Sequence, residues 1–151
     1  MKQLMFLAVS AFLSGCATTS HYGNFSPVMD QYAQAGIAYD TTRALARLYP
    51  PAHTWLQFKQ PINDDYGRQL VKNLRRSGYA VREYAPENKI ESAGKGSSIF
   101  PLAYIIDEPS ASMTRVTLLV GNDVLTRGYD IVDGMYVPAG KWTYKGATDH
   151  D

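Results

Sequence analysis

The chain has 151 residues, with 15 Lys and Arg against 14 Asp and Glu, eleven Tyr, two Trp and a single Cys. A balance this close to neutral excludes the long-range pull that a highly basic chain exerts on nucleic acid or anionic lipid. The length supports one hydrophobic core, and one cysteine excludes an internal disulfide, so packing alone must hold the fold.

Lys2 precedes a ten-residue apolar stretch, residues 4–13. Such a stretch is too short to span a bilayer as a permanent helix and has the length of a secretory signal core. It runs into Leu13-Ser14-Gly15-Cys16, the order and spacing of a bacterial lipobox. Ser14 and Gly15 are small enough to pass a peptidase, and the Cys16 thiol can accept diacylglycerol before cleavage between Gly15 and Cys16. Residues 1–15 are therefore expected to be a lipoprotein signal peptide. The mature chain would have 136 residues and 14 charges of each sign. One acyl chain binds membranes marginally, whereas the two or three of a mature lipoprotein hold stably, at about 0.8 kcal/mol per buried methylene. Ala17 stands where an aspartate would argue for retention in the inner membrane, so the periplasmic face of the outer membrane is the expected location.

Residues 16–27 read as an acylated flexible tether rich in Thr, Ser, Gly and Asn. From 28 to 49 the spacing of Tyr32, Ala35, Ala38, Leu45, Leu48 and Tyr49 predicts helix. Asp40-Thr41-Thr42 reads as a cap that divides it, and Pro50-Pro51 ends it. Thr54–Phe58 alternates as a short strand. Asn63 is the expected N-cap of the next helix, with Asp64 and Asp65 in its first turn and Gly78 at its end. On a wheel, Tyr66, Leu70, Val71 and Leu74 share one side, and Arg68, Lys72, Arg75 and Arg76 lie nearly opposite. With a strand at 79–84, these elements make a β-α-β unit.

Residues 85–98 are polar, with several small residues, and read as a surface loop. Strands are expected at 102–107, 114–120, 124–131, 135–137 and 141–144. Gly121-Asn122-Asp123 and Val132-Asp133-Gly134 mark hairpins, and Pro138-Ala139-Gly140 marks another turn. Residues 147–151 read as a disordered tail. The expectation is a small single α+β domain over 28–146: a β-α-β unit, an N-terminal helix and a mainly antiparallel C-terminal meander.

The residues offer little for catalysis. His21, His53 and His150 have no ligand-like spacing, so neither metal nor cofactor is expected. Glu83, Glu87, Glu91, Asp107 and Glu108 include enough acids for a peptidoglycan-hydrolysing pair, but most lie in or beside the polar loop, where solvated carboxylates are ordinary. Gly94-Lys95-Gly96-Ser97 departs from the phosphate-loop pattern, and no serine-nucleophile elbow occurs. Two features are candidate partner interfaces. Arg68, Lys72, Arg75 and Arg76 are either a solvated outer face or a contact for lipid phosphates or an acidic partner. Tyr129, Tyr136 and Trp142 (with Tyr144) are either core or interface anchors.

Taken in order, the lipobox, Leu48-Tyr49-Pro50-Pro51-Ala52, Leu74-Arg75-Arg76-Ser77-Gly78-Tyr79-Ala80-Val81, Arg115-Val116-Thr117-Leu118-Leu119-Val120-Gly121-Asn122 and Val137-Pro138-Ala139-Gly140-Lys141-Trp142 resemble TrbH, a family of conjugal-transfer lipoproteins. The resemblance spans essentially the whole chain, and its specificity rests on the C-terminal segments. It implies a structural subunit of a type IV secretion channel for plasmid transfer, not an enzyme. Such a subunit would anchor periplasmic and outer-membrane ring proteins, with a homo-oligomeric ring as a further option and no direct contact with nucleic acid. It carries over no site residue except the acylated Cys16. A peptidoglycan-remodelling lipoprotein and a generic periplasmic binding lipoprotein are the alternatives.

Overall fold

A computed structural model of the chain describes residues 21–26, 29–86 and 98–146. The signal peptide, Cys16, residues 17–20 and 27 of the tether, Glu87, Glu91, the Gly94–Ser97 run and the C-terminal tail lie outside those residues.

Strand β1 (Gly23–Asn24) precedes helix α1 (Gln31–Leu48), a short 3-10 turn (Pro51–His53), β2 (Thr54–Phe58), α2 (Asp65–Arg76) and β3 (Ala80–Arg82). A long strand β4 (Ser98–Ser110) then opens a meander of β5 (Met113–Val120), β6 (Asp123–Val132), β7 (Met135–Pro138) and β8 (Thr143–Lys145). All eight strands form one mixed sheet in the order β3-β2-β4-β5-β6-β7, with β1 on β4 and β8 on β6. β3, β2 and β1 run parallel to their neighbours and the meander is antiparallel. The domain is α+β, as the sequence predicts.

Both helices pack on one face of the sheet. The inward positions of the strands, among them Leu56, Phe58, Leu102, Tyr104, Ile106, Val116, Leu118 and Leu125, meet Ile37, Ala38 and Leu45 of α1 and Tyr66, Leu70, Val71 and Leu74 of α2. α2 buries the predicted stripe. Its N-cap is Asp64 rather than Asn63: the Asp64 carboxylate accepts from the Gly67 N–H at 2.8 Å. At its end, Gly78 takes φ +92, and the Tyr79 and Gly78 N–H groups donate to the Leu74 and Arg75 carbonyls, the paired bonds of a glycine-terminated helix.

α1 departs from expectation in two ways. Asp40-Thr41-Thr42 does not divide it, because Asp30 is the cap, accepting from the N–H groups of Tyr32 and Ala33. Its buried side is Gln34, Ile37, Ala38, Thr41, Thr42, Ala44 and Leu45, while Tyr32 is 84% exposed. The apolar spacing gave that side only in part: Ala38, Leu45 and Tyr49 are buried as expected, but Tyr32 and Leu48 are exposed, and three polar residues are satisfied inside. Thr42 donates to the Ala38 carbonyl, Thr41 shares a hydrogen bond with the Tyr66 hydroxyl, and Gln34 donates to the Met29 carbonyl while accepting from the Tyr66 N–H.

β4 starts at Ser98, four residues before the predicted strand, because its first half pairs with β2 rather than with the meander. Pro101 is tolerated there. Its carbonyl accepts from Gly121 on the meander side, just beyond the last β4–β5 pair, so its missing N–H faces the same way and leaves no ladder partner wanting. On the opposite edge, β2 ends and β1 begins beside β4 with Tyr104 between them. Gln60 fills that gap. Its side-chain amide donates to the Tyr104 carbonyl and accepts from the Tyr104 N–H, both at 3.1 Å, replacing the missing strand for one residue. Gly23–Asn24, expected in the tether, thus belong to the sheet.

The C-terminal meander also differs in one detail. The hairpins at 121–122 and 133–134 are two-residue turns, with positive φ at Gly121, Asp133 and Gly134. Pro138-Ala139-Gly140, however, does not reverse the chain. β7 and β8 both run antiparallel along the same edge of β6, and residues 139–142 bulge out opposite Arg127 and Gly128.

A candidate interaction site

That bulge turns Trp142 inward, and the inward phase of β6 carries Leu125, Arg127 and Tyr129 toward α1. All three donors meet one acceptor. Asp40 Oδ2 accepts from Arg127 Nη1 at 2.7 Å, Tyr129 Oη at 2.7 Å and Trp142 Nε1 at 3.0 Å. The Arg127 side chain is 17% exposed and that of Asp40 28%, so the pair sits at the rim of the core rather than in water. The Arg127 guanidinium also lies 5.7 Å from the Tyr129 ring centre. Burial, and then the bond to Asp40, raises the Tyr129 hydroxyl far above the usual phenol range, so it remains a hydrogen-bond donor rather than a proton-transfer group.

Two cavities meet at this cluster. One, of about 420 Å³, lies between α1 and the β6–β7 hairpin and is walled by Tyr32, Ala33, Gly36, Ile37, Met135 and Tyr136. The other, of about 520 Å³, lies further along α1 and is bordered by Arg43, Arg47, Arg127, Lys141 and Trp142. Asp40 and Pro138 line both. Together they form a groove that is apolar at one end and cationic at the other.

The residues singled out in the sequence separate into distinct roles. Tyr129 is 2% exposed and belongs to the core; as an interface anchor it is corrected, because its ring faces α1 and its hydroxyl holds Asp40. Trp142 and Tyr136 are each partly buried against the core, Trp142 at the cationic cavity and Tyr136 on the wall of the apolar one. Arg68, Lys72, Arg75 and Arg76 do share an exposed face of α2, around a shallow cavity of about 600 Å³ with Ile62, Val71 and Glu83. Arg68 pairs with Asp65 at 2.6 Å and Arg75 with Glu83 at 2.8 Å, each with both partners about half exposed. Pairs of that kind contribute little stability but offset half of the face's charge.

The carboxylates considered for hydrolysis are engaged or apart: Glu83 with Arg75, Asp107 with Nε and Nη2 of Arg115, and Glu108 with Ser26. Among the described residues no group of three or more His, Cys, Asp or Glu is placed to hold a metal ion, and no helix is long and apolar enough to cross a membrane. Sequence reasoning missed Asp40. The signal that existed was Arg127, a cation in the inward phase of an alternating strand, which needs an anion from another element; nothing local names that element.

The chain matches the family described as "Conjugal transfer protein TrbH" over residues 19–146 and belongs to that family. No curated protein and no solved structure matches it.

Proposed function

We propose that the protein is an outer-membrane lipoprotein that serves as a structural and assembly subunit of a conjugative type IV secretion channel, anchoring its periplasmic ring proteins. The observation that carries this reading is that the match to the conjugal-transfer family begins at residue 19, three residues behind Cys16 at the end of the lipobox pattern. That spacing would hold the domain within a short tether of the membrane surface, where it can work by contact. Family membership supports a place in the transfer apparatus, and the absence of net charge on the mature chain fits a role that does not grip the transferred DNA. Neighbouring ring proteins, other copies of this chain included, are the proposed partners.

Labelled palmitate is expected to enter the wild-type protein and not Cys16→Ala, and wild-type protein is expected in the outer-membrane fraction. A clean deletion should reduce plasmid transfer at least tenfold, with recovery from the wild-type gene and not from Cys16→Ala. Unlabelled wild-type protein, or undiminished transfer from the deletion strain, refutes the reading.

A further inference from the structure

The cationic end of the groove carries more charge than the fold uses. Arg43, Arg47, Arg127 and Lys141 surround it, and Asp40, the one carboxylate on its wall, already serves three donors through a single oxygen. Among the described residues Arg43, Arg47 and Lys141 take part in no ion pair. Arg127 Nε is buried and has no acceptor. Four cations against one engaged carboxylate make a place for an incoming anion, and guanidinium groups present the forked geometry that carboxylates match.

The apolar end adjoins the cationic end at Asp40 and Pro138, which line both cavities. Its floor is open at Gly36, where an added Cβ would meet nothing within 4 Å, and its rims are the exposed Tyr32 and Met135, 84% and 62% accessible. Among the described residues the strand along this wall, β7, pairs only with β6, so its outer backbone edge can accept an added strand. Asp30 also faces this end; a carboxylate can accept from a peptide N–H but would disfavour an acyl chain.

We propose that this groove receives an extended segment of a partner protein, in which a bulky apolar residue lies above Gly36 and acidic residues reach Arg43, Arg47 and Lys141. On α1 those arginines stand seven and eleven residues beyond Gly36. At 1.5 Å of helix rise against 3.3 Å per extended residue, the acidic positions fall about three to five residues from the apolar one. The proposal deepens the reading of a subunit that works by contact, naming the contact and the chemistry of its partner.

The test uses the purified full-length chain, captured through a C-terminal tag, against a random octapeptide display library. Three parallel targets are wild type, the double variant Arg43→Glu with Arg47→Glu, and Gly36→Leu. Gly36→Leu keeps every charge, replaces a helix-interior glycine by a strong helix former in open space, and should melt no earlier than wild type. Wild type is expected to enrich peptides with an acidic residue three to five positions from a large apolar one. A synthesised consensus peptide should bind at least tenfold more weakly to both variants, and more weakly as salt rises. Failure to enrich such peptides, or enrichment that survives both substitutions, overturns the proposal. So does binding of phosphatidylglycerol vesicles that depends on Arg43 and Arg47 in the absence of peptide selection, since the groove would then serve a lipid. Binding is read without cells, so loss of this inference leaves the palmitate and transfer results standing, and the reverse also holds.

Discussion

Removing the Asp40 carboxylate should cost the fold a large share of its stability, and the structure allows the loss to be worked out donor by donor. In Asp40→Ala, the guanidinium of Arg127 loses its counter-ion while its side chain remains 17% exposed. Stripping one partner from a fully buried pair costs about 3–5 kcal/mol; the cavity beside Arg127 admits water and lowers that to roughly 2–3. The hydroxyl of Tyr129, a residue 2% exposed, is left without an acceptor at about 1–2 kcal/mol. Trp142 can turn its N–H toward the cavity and adds little. The total is about 3–5 kcal/mol, set against the 5–15 kcal/mol typical of a whole domain. With a urea m-value of about 1–3 kcal/mol per molar, the midpoint should fall by about 2 M. Urea denaturation followed by tryptophan fluorescence and far-UV circular dichroism reads this directly. Replacing Arg127 by Met in the Asp40→Ala background should restore at least about 1 kcal/mol, because it removes the stranded charge. A midpoint shift equivalent to less than about 0.5 kcal/mol for Asp40→Ala would show that water serves the three donors equally well, and the structural role assigned to the cluster would fall.

Other perturbations test the rest of the core. A Cβ built on Gly67 would lie 2.3 Å from Tyr104 Oη and 3.0 Å from Ile62 Cγ2; Tyr104 is held by its bond to Asp64, so Gly67→Ala should destabilise by about 2–3 kcal/mol through overpacking, measured as a lowered urea midpoint. Gln60→Leu should cost about 2 kcal/mol, because it strands both the N–H and the carbonyl of Tyr104, and amide exchange at Tyr104 should quicken by at least tenfold. Raising the pH should unfold the protein from the tyrosines outward. Burial pushes the Tyr79 hydroxyl up to about 12 from 10, so between these values the unfolded chain ionises first. The folded state binds the extra proton there, and stability present below pH 10 is lost as pH climbs toward 12. Urea midpoints compared at pH 7, 8.5 and 11.5 should be level for the first pair and lower for the third; a midpoint that rises above pH 10 contradicts the assignment.

How far the sequence could be read depended on the distance over which each feature is specified. The β2-α2-β3 unit, the two-residue hairpins and the α2 stripe were legible because caps, turn residues and apolar periodicity act within a few positions. Gly78 and the Asp133-Gly134 pair carry their instructions locally. α1 was read only in part: Ala38 and Leu45 were legible, but its inner face also uses Gln34, Thr41 and Thr42, and a polar residue declares itself as core only when its partners, Tyr66 and Met29 among them, are in place. The first half of β4 was hidden for a related reason: its pairing with β2 crosses some forty residues of chain, and Pro101 argues locally against a strand. Likewise, the bulge at 139–142 carries the same residues as a reversing turn.

By itself the sequence determined what contiguous residues can encode: the lipobox pattern ending at Cys16, the near-zero net charge, the α+β class and the family resemblance that the match over residues 19–146 bears out. Only the tertiary structure decided that Asp40 is the shared acceptor of three donors rather than a helix cap, that Gln60 stands in for a strand, and that Tyr129 is core while Arg43, Arg47 and Lys141 face a groove. The physical reason is that these outcomes depend on convergence. Asp40 and Arg127 are 87 positions apart, and no period or propensity in either segment carries the position of the other until sheet and helices have packed.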